Sequence, residues 1–147
     1  MSNFEQEMRF IADNCAATRL RSLTRFVTGI YDELLRPLDL KVSQLNILVL
    51  LATLDSVRPS QLCELLYLDA STLSRNVDRM RARGWLDFIA DQEDARAHSV
   101  RLTEKGGDLL RKALPLWRKG QEKVETALGK QSLEAIRKAN KGIATRI

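Results

Sequence analysis

Asp69-Ala-Ser-Thr-Leu-Ser-Arg-Asn-Val-Asp-Arg-Met-Arg-Ala-Arg-Gly84 is the stretch that decides how this chain folds. Asp69 carries a short carboxylate able to accept the unpaired N–H groups of a helix start. Leu73, Val77 and Met80 then recur at spacings of three and four, which puts them on one side of a helix. Ser71, Thr72, Ser74, Arg75 and Arg79 project elsewhere, and Gly84 supplies a stop. Arg75, Arg79, Arg81 and Arg83 fall within a segment whose only acid is Asp78.

Upstream, Pro59–Leu66 reads as a short helix with Leu62, Leu65 and Leu66 turned inward; proline suits its first turn because no N–H is needed there. Tyr67-Leu68-Asp69 makes the connection. Downstream, Trp85–Ala90 and Ala97–Leu102 read as two short strands, with the polar Asp91–Arg96 as the turn between them. A bracing helix, a second helix carrying cations and a two-stranded ribbon, in that order, describe a winged helix-turn-helix, an arrangement suited to double-stranded DNA.

The ends of the chain are helical. Met8, Ile11, Cys15, Leu20, Leu23, Phe26, Val27, Ile30 and Leu34 predict one long amphipathic helix over residues 8–35, ended by Arg36-Pro37. A further helix starts near Ser43, and Asp55-Ser56 marks a turn. Thr103 caps a helix that Pro115 should bend or divide, and Gly129 precedes a last one with Leu133 and Ile136. The expected fold is mainly α with a small β wing, one unit over residues 1–147. Residues 40–102 would form the winged region and 4–36 with 103–147 a dimerisation region. Two copies would present two recognition helices to half-sites one DNA turn apart.

Composition narrows the function. At 147 residues and 44% apolar content the chain can bury one core, and its formal charge of +5 is compatible with phosphate contacts. Neither a cleavable leader nor a membrane-length apolar run is evident, so a cytoplasmic protein without membrane contact is expected. Cys15 and Cys63 are too few and too far apart for a disulfide scaffold or zinc cluster, and His98 alone cannot hold a metal. With no glycine-rich phosphate loop and no local acid–base or nucleophile spacing, neither an enzyme nor a cofactor is expected.

Within the helix after Asp69, Ser71, Thr72, Ser74 and Arg75 are the candidates for base edges in the major groove, Arg75 by paired hydrogen bonds to guanine. Arg79 and Arg83 lie farther along and are assigned to phosphates, whereas Arg81 points to another face. Arg96, near the wing tip beside Glu93 and Asp94, is the candidate for the minor groove.

The sequence closely resembles the MarR family of bacterial transcriptional regulators. The resemblance is carried by Leu62-Cys-Glu-Leu-Leu66, the Asp69–Met80 segment, Gly84-Trp-Leu86, the Asp91–Arg96 wing and Val100-Arg-Leu-Thr-Glu-Lys-Gly106. It implies an obligate homodimer whose terminal helices pair and whose winged regions bind a palindromic operator. Such a repressor releases DNA when a small molecule or an oxidant changes the spacing of those regions. Tyr67 and Ala70 depart from the family pattern, and Ala70 can offer at most contact to a thymine methyl. The resemblance also implies space for an aromatic or phenolic effector, with Phe26, Tyr31 and Trp117 as candidate ligand contacts. A thiol sensor is the alternative regulator, with Cys15 as its redox candidate and Arg19 one helical turn away. A winged module that binds a ligand or protein without effective operator recognition is the remaining alternative.

Overall fold

Serine 2 begins the first helix with reciprocal caps: its Oγ accepts the Glu5 N–H at 3.3 Å, and the Glu5 carboxylate accepts the Ser2 N–H at 2.8 Å. The computed structural model describes residues 2–90 and 97–144. Helices α1 (Asn3–Asn14) and α2 (Ala16–Leu35) occupy the span expected to hold one helix, separated at Cys15, where ψ is 109°. The break uses neither Gly nor Pro. Instead Arg19 reaches back across it, donating to the carbonyls of Ala12 at 3.4 Å and Asp13 at 2.7 Å. Those are carbonyls that a helix end leaves without partners, so a side chain from the next helix takes them up at a break that no Gly or Pro announces.

A 3-10 turn at Arg36–Leu38 leads to α3 (Val42–Leu54). The start of α3 is fixed from a distance: Asp32 of α2 accepts the Val42 N–H at 2.8 Å and lies 3.4 Å from Lys41 Nζ. Leu45, Ile47, Leu48 and Leu51 are buried, so α3 forms the centre of the core. Strand β1 (Ser56–Val57) follows, where a turn was expected. Two residues give no readable alternation; the strand exists because Val57 pairs with Val100 and is itself buried.

Helix α4 spans Pro59–Leu66, as its sequence indicates, but its inward face is narrower than expected. Leu62 is fully buried, Leu66 is half-buried and Leu65 is exposed, since a two-turn helix touching the core along one edge covers only part of its circumference. Tyr67 ends it in the left-handed region, at φ 53°, with the Leu68 N–H returning to the Cys63 carbonyl at 3.0 Å. Helix α5 (Ala70–Ala82) buries Leu73, Val77 and Met80, the three positions its period marked.

Strands β2 (Leu86–Ala90) and β3 (His98–Leu102) pair antiparallel from Leu86–Leu102 to Ala90–His98, and the sheet order is β1-β3-β2. Helix α6 (Glu104–Leu128) runs through Pro115 without dividing. Pro115 stands on its exposed side, where water can take up the carbonyl that the ring leaves unpaired, while Ala113, Gly120 and Val124 hold the buried side. Gly120 lets α6 lie close to α2: a Cβ there would come within 2.6 Å of the Tyr31 ring. Helix α7 (Lys130–Ala144) closes the described chain.

Candidate nucleic-acid interface

The interface is built on Asp69, whose carboxylate closes the N-terminus of α5 by accepting the Thr72 N–H at 2.8 Å. The same carboxylate accepts two hydroxyls, Ser71 Oγ at 2.6 Å and Thr72 Oγ1 at 2.7 Å. The hydroxyls of Ser71 and Thr72, with the Thr72 N–H, hold the Asp69 carboxyl well below the usual carboxylate range, so it stays ionised and can only accept. Arg75 lies one turn on, its Nη2 at 3.5 Å from Thr72 Oγ1. Ser74 points its hydroxyl towards Asp78 Oδ2 at 3.4 Å.

Ser71, Ser74, Arg75 and Arg79 are all exposed and Thr72 is half-buried, so the structure brings these five expected residues onto the outer side of one helix. Opposite them, Leu73, Val77 and Met80 anchor the helix to the core. Arg81 turns to β2, with Nε at 3.2 Å from Asp87 and its guanidinium 5.1 Å over the Phe88 ring, matching its assignment to a different face.

Arg83, expected at a phosphate, is engaged within the protomer. It forms an ion pair with Asp39, donates to the Asp39 carbonyl at 2.8 Å and lies 4.8 Å over the Trp85 ring. Nothing in local spacing announces this partner, because Asp39 belongs to a loop before α3. Arg96, Glu93 and Asp94, with the rest of the wing turn at residues 91–96, lie outside the described residues.

The root of the hairpin is tied to the end of α5. Thr103 donates its hydroxyl to the Gly84 carbonyl at 2.6 Å and its N–H to the Trp85 carbonyl at 3.1 Å, while its Oγ1 accepts the Gly106 N–H and starts α6. Gly106 is required by closeness: a Cβ would stand 2.0 Å from the Trp85 carbonyl oxygen.

The three aromatic ligand candidates are not gathered together. Trp117 lines a groove of about 560 Å³ between α3 and α6, with Leu45, Val49, Leu110 and Leu114. Tyr31 is instead buried at Gly120, donating its hydroxyl to Gln121 at 2.7 Å, and burial followed by the nearby Glu125 charge raises its pKa. Phe26 is exposed on α2 and is not among the groove's lining residues.

Cys15 is half-exposed at the N-terminus of α2. The nearby Thr18 hydroxyl and N–H lower its pKa, with smaller help from the Ala17 N–H and the Arg19 charge. Cys63 is partly buried against the core. Among the described residues no cluster of His, Cys, Asp and Glu is placed to hold a metal ion, and no single helix is long and apolar enough to cross a membrane.

A helix braced by a shorter one, with an antiparallel ribbon beside it, defines a winged helix-turn-helix. A MarR family model matches residues 38–97. The chain is 32% identical to the M. tuberculosis transcriptional regulator MOSR, solved in complex with DNA, with a TM-score of 0.76 over 90% of this chain and 97% of that one. A cysteine-to-serine mutant of MarR from E. coli, solved with operator DNA, aligns with a TM-score of 0.80 at 20% identity, covering 91% of this chain and 96% of that one. In sequence, the multiple antibiotic resistance protein MarR of E. coli K12 is 31% identical over 75 residues, 51% of this chain and 52% of that protein. The chain thus spans about half the length of the first curated relatives it matches. It belongs to the MarR family, whose members are transcriptional regulators.

Proposed function

We propose that this chain is a cytoplasmic, homodimeric transcriptional repressor that binds a palindromic operator in double-stranded DNA and responds to a small aromatic or phenolic effector. The observation that carries the reading is the exposed row Ser71, Ser74, Arg75 and Arg79 on a helix whose other side is locked into the core. Ser71, Thr72, Ser74 and Arg75 would meet base edges, and Arg79 a phosphate. Arg83, held by Asp39 and Trp85, would chiefly fix the end of the helix. Arg96 is assigned to the minor groove by its sequence position near the expected wing tip.

Dimerisation by residues 4–36 and 103–147 is supported by α1, which buries none of its residues within the protomer while exposing Phe4, Met8, Phe10 and Ile11. A row of large apolar side chains in water is the usual mark of a surface that meets a partner. The groove at Trp117 is the best-supported effector site, because it is largely apolar and joins a winged-region helix to a terminal one. Phe26 and Tyr31 would then act outside it.

The test is unbiased selection of bound genomic fragments by the full chain. Enrichment of one short palindrome, lost or blurred in Arg75→Ala, is the expected result. Failure to enrich any sequence at low salt would refute operator recognition. Replacing Arg79 should weaken binding on all sequences alike and reduce the salt slope by about one.

Regulation through Cys15 is a second reading, favoured by its half-exposed place at a helix start and its lowered pKa. Unchanged DNA binding after complete oxidation of Cys15 would reject it.

A further inference from the structure

We propose that Asp69 sets the base preference of the recognition helix by holding the Ser71 hydroxyl proton inward, so that Ser71 offers DNA only acceptor lone pairs. The inference rests on the reading of α5 as the groove-entering helix and specifies what that helix selects.

A serine hydroxyl ordinarily discriminates poorly, since its single proton rotates and the group serves as donor or acceptor. Here that freedom is removed. Ser71 Oγ lies 2.6 Å from Asp69 Oδ1, and an ionised carboxylate has no proton to give, so the proton between them belongs to Ser71. The second carboxylate oxygen does the same to Thr72, at 2.7 Å. Thr72 Oγ1 is thereby also an acceptor on its outer side, and there it faces Arg75 Nη2 at 3.5 Å. One carboxylate thus sets the polarity of Ser71 directly, and through Thr72 it provides an acceptor that steadies Arg75.

In the major groove the hydrogen-bond donors are the exocyclic amino groups of adenine and cytosine; guanine O6 and N7 and thymine O4 are acceptors. A hydroxyl with its proton committed pairs with the donors and repels the acceptors. Ser71 and Arg75 are four residues apart and share one side of the helix. The expected readout is adenine or cytosine on the strand facing Ser71, near a guanine read by Arg75. Asp69 touches no base in this scheme: it is a positioning residue acting through Ser71.

Selection from randomised duplexes with the full chain, in wild-type, Ser71→Ala and Asp69→Gly forms, tests this. Ser71→Ala identifies the base pair concerned as the one whose preference disappears. At that base pair the wild-type protein should favour adenine or cytosine on one strand by about tenfold, the size of a good base contact. Asp69→Gly keeps a competent helix start but removes the Oδ1 that takes up both the Thr72 N–H and the Ser71 hydroxyl, freeing the Ser71 proton to point outward. It should therefore cut the preference at that base pair to about twofold while leaving distant positions intact, with helix content checked by circular dichroism. Wild-type preference for guanine or thymine there, no position affected by Ser71→Ala, or an unchanged preference in Asp69→Gly would each overturn the proposal while leaving DNA binding in place. Absence of any selected sequence with the wild-type chain would overturn it together with the reading on which it rests.

Discussion

Arg83 at the end of α5 and Asp39 in the loop before α3 form an ion pair between residues 44 apart in sequence, and the Arg83 guanidinium also covers Trp85. The pair joins the end of α5 to the segment entering the core. Both partners are well exposed, with 40% of the Arg83 side chain and 81% of Asp39 open to solvent, so water screens much of their attraction. Arg83→Ala should lower unfolding stability by about 1 kcal/mol, most of it from the Trp85 contact and the Asp39 carbonyl. Asp39 sits at φ 49°, where Asn is tolerated better than Ala. A double-mutant cycle on Arg83→Ala and Asp39→Asn, read by urea denaturation, should give a coupling of about 0.5 kcal/mol. A coupling several times larger would contradict the solvent-screened picture.

Gly106 should tolerate no side chain. The added methyl of Gly106→Ala would overlap the Trp85 carbonyl oxygen and stand 2.7 Å from Leu102 Cδ1, and the carbonyl is backbone already bonded to the Thr103 N–H. Overpacking of this kind costs about 3 kcal/mol. Thermal denaturation beside Gly107→Ala gives the comparison, since a Cβ at Gly107 meets nothing within 4 Å. Equal melting temperatures for the two variants would be inconsistent with this geometry.

The Asp69 cap carries a pH dependence of fixed sign. Its pKa is lower in the folded chain than in the unfolded one, so the folded state binds fewer protons as pH falls through the ordinary carboxylate range. The stability it contributes is fully present above the unfolded value, about pH 4, and is lost as pH falls towards the folded one. Asp69→Asn removes that titration. The stability difference between wild type and variant should therefore shrink on acidification from about pH 6 to pH 2.5; a difference that grows instead would mean that Asp69 does not gain these partners on folding.

Cys15 should react faster than an ordinary thiol near neutral pH. The Thr18 hydroxyl is the largest cause of its lowered pKa, and the thiolate is the reacting species. Alkylation by iodoacetamide at pH 7, followed by peptide mass spectrometry, should proceed several-fold faster at Cys15 than at a cysteine in an unstructured peptide. Thr18→Ala should slow it. Identical rates in Thr18→Ala and wild type would remove the hydroxyl from the explanation.

What could be read from sequence depended on the range of the interaction that creates each feature. The α4 limits, the Asp69 cap and the buried side of α5 arise from residues within a few positions of one another, and they were legible at that distance. The break at Cys15 carries neither Gly nor Pro, Arg19 reads equally well as an ordinary helix-surface cation, and β1 depends on Val100. Neither leaves a local trace. Pro115 shows the reverse case, a strong local breaker tolerated on the exposed side of a helix that packs on both α2 and α3. At the candidate interface, residue types and spacing indicated which side chains share a face, but Arg83 was assigned by position alone, without its distant partner Asp39. The inward polarity of the Ser71 hydroxyl needed the 2.6 Å distance.

Val57 and Val100 face each other across the β1–β3 ladder, which fastens the far end of α3 to the inner strand of the hairpin. The three residues beyond α3 thus add a backbone tie to two parts that already share one core. A shift of α3 against α6, where Trp117 lines the groove, would press on the ribbon through this ladder.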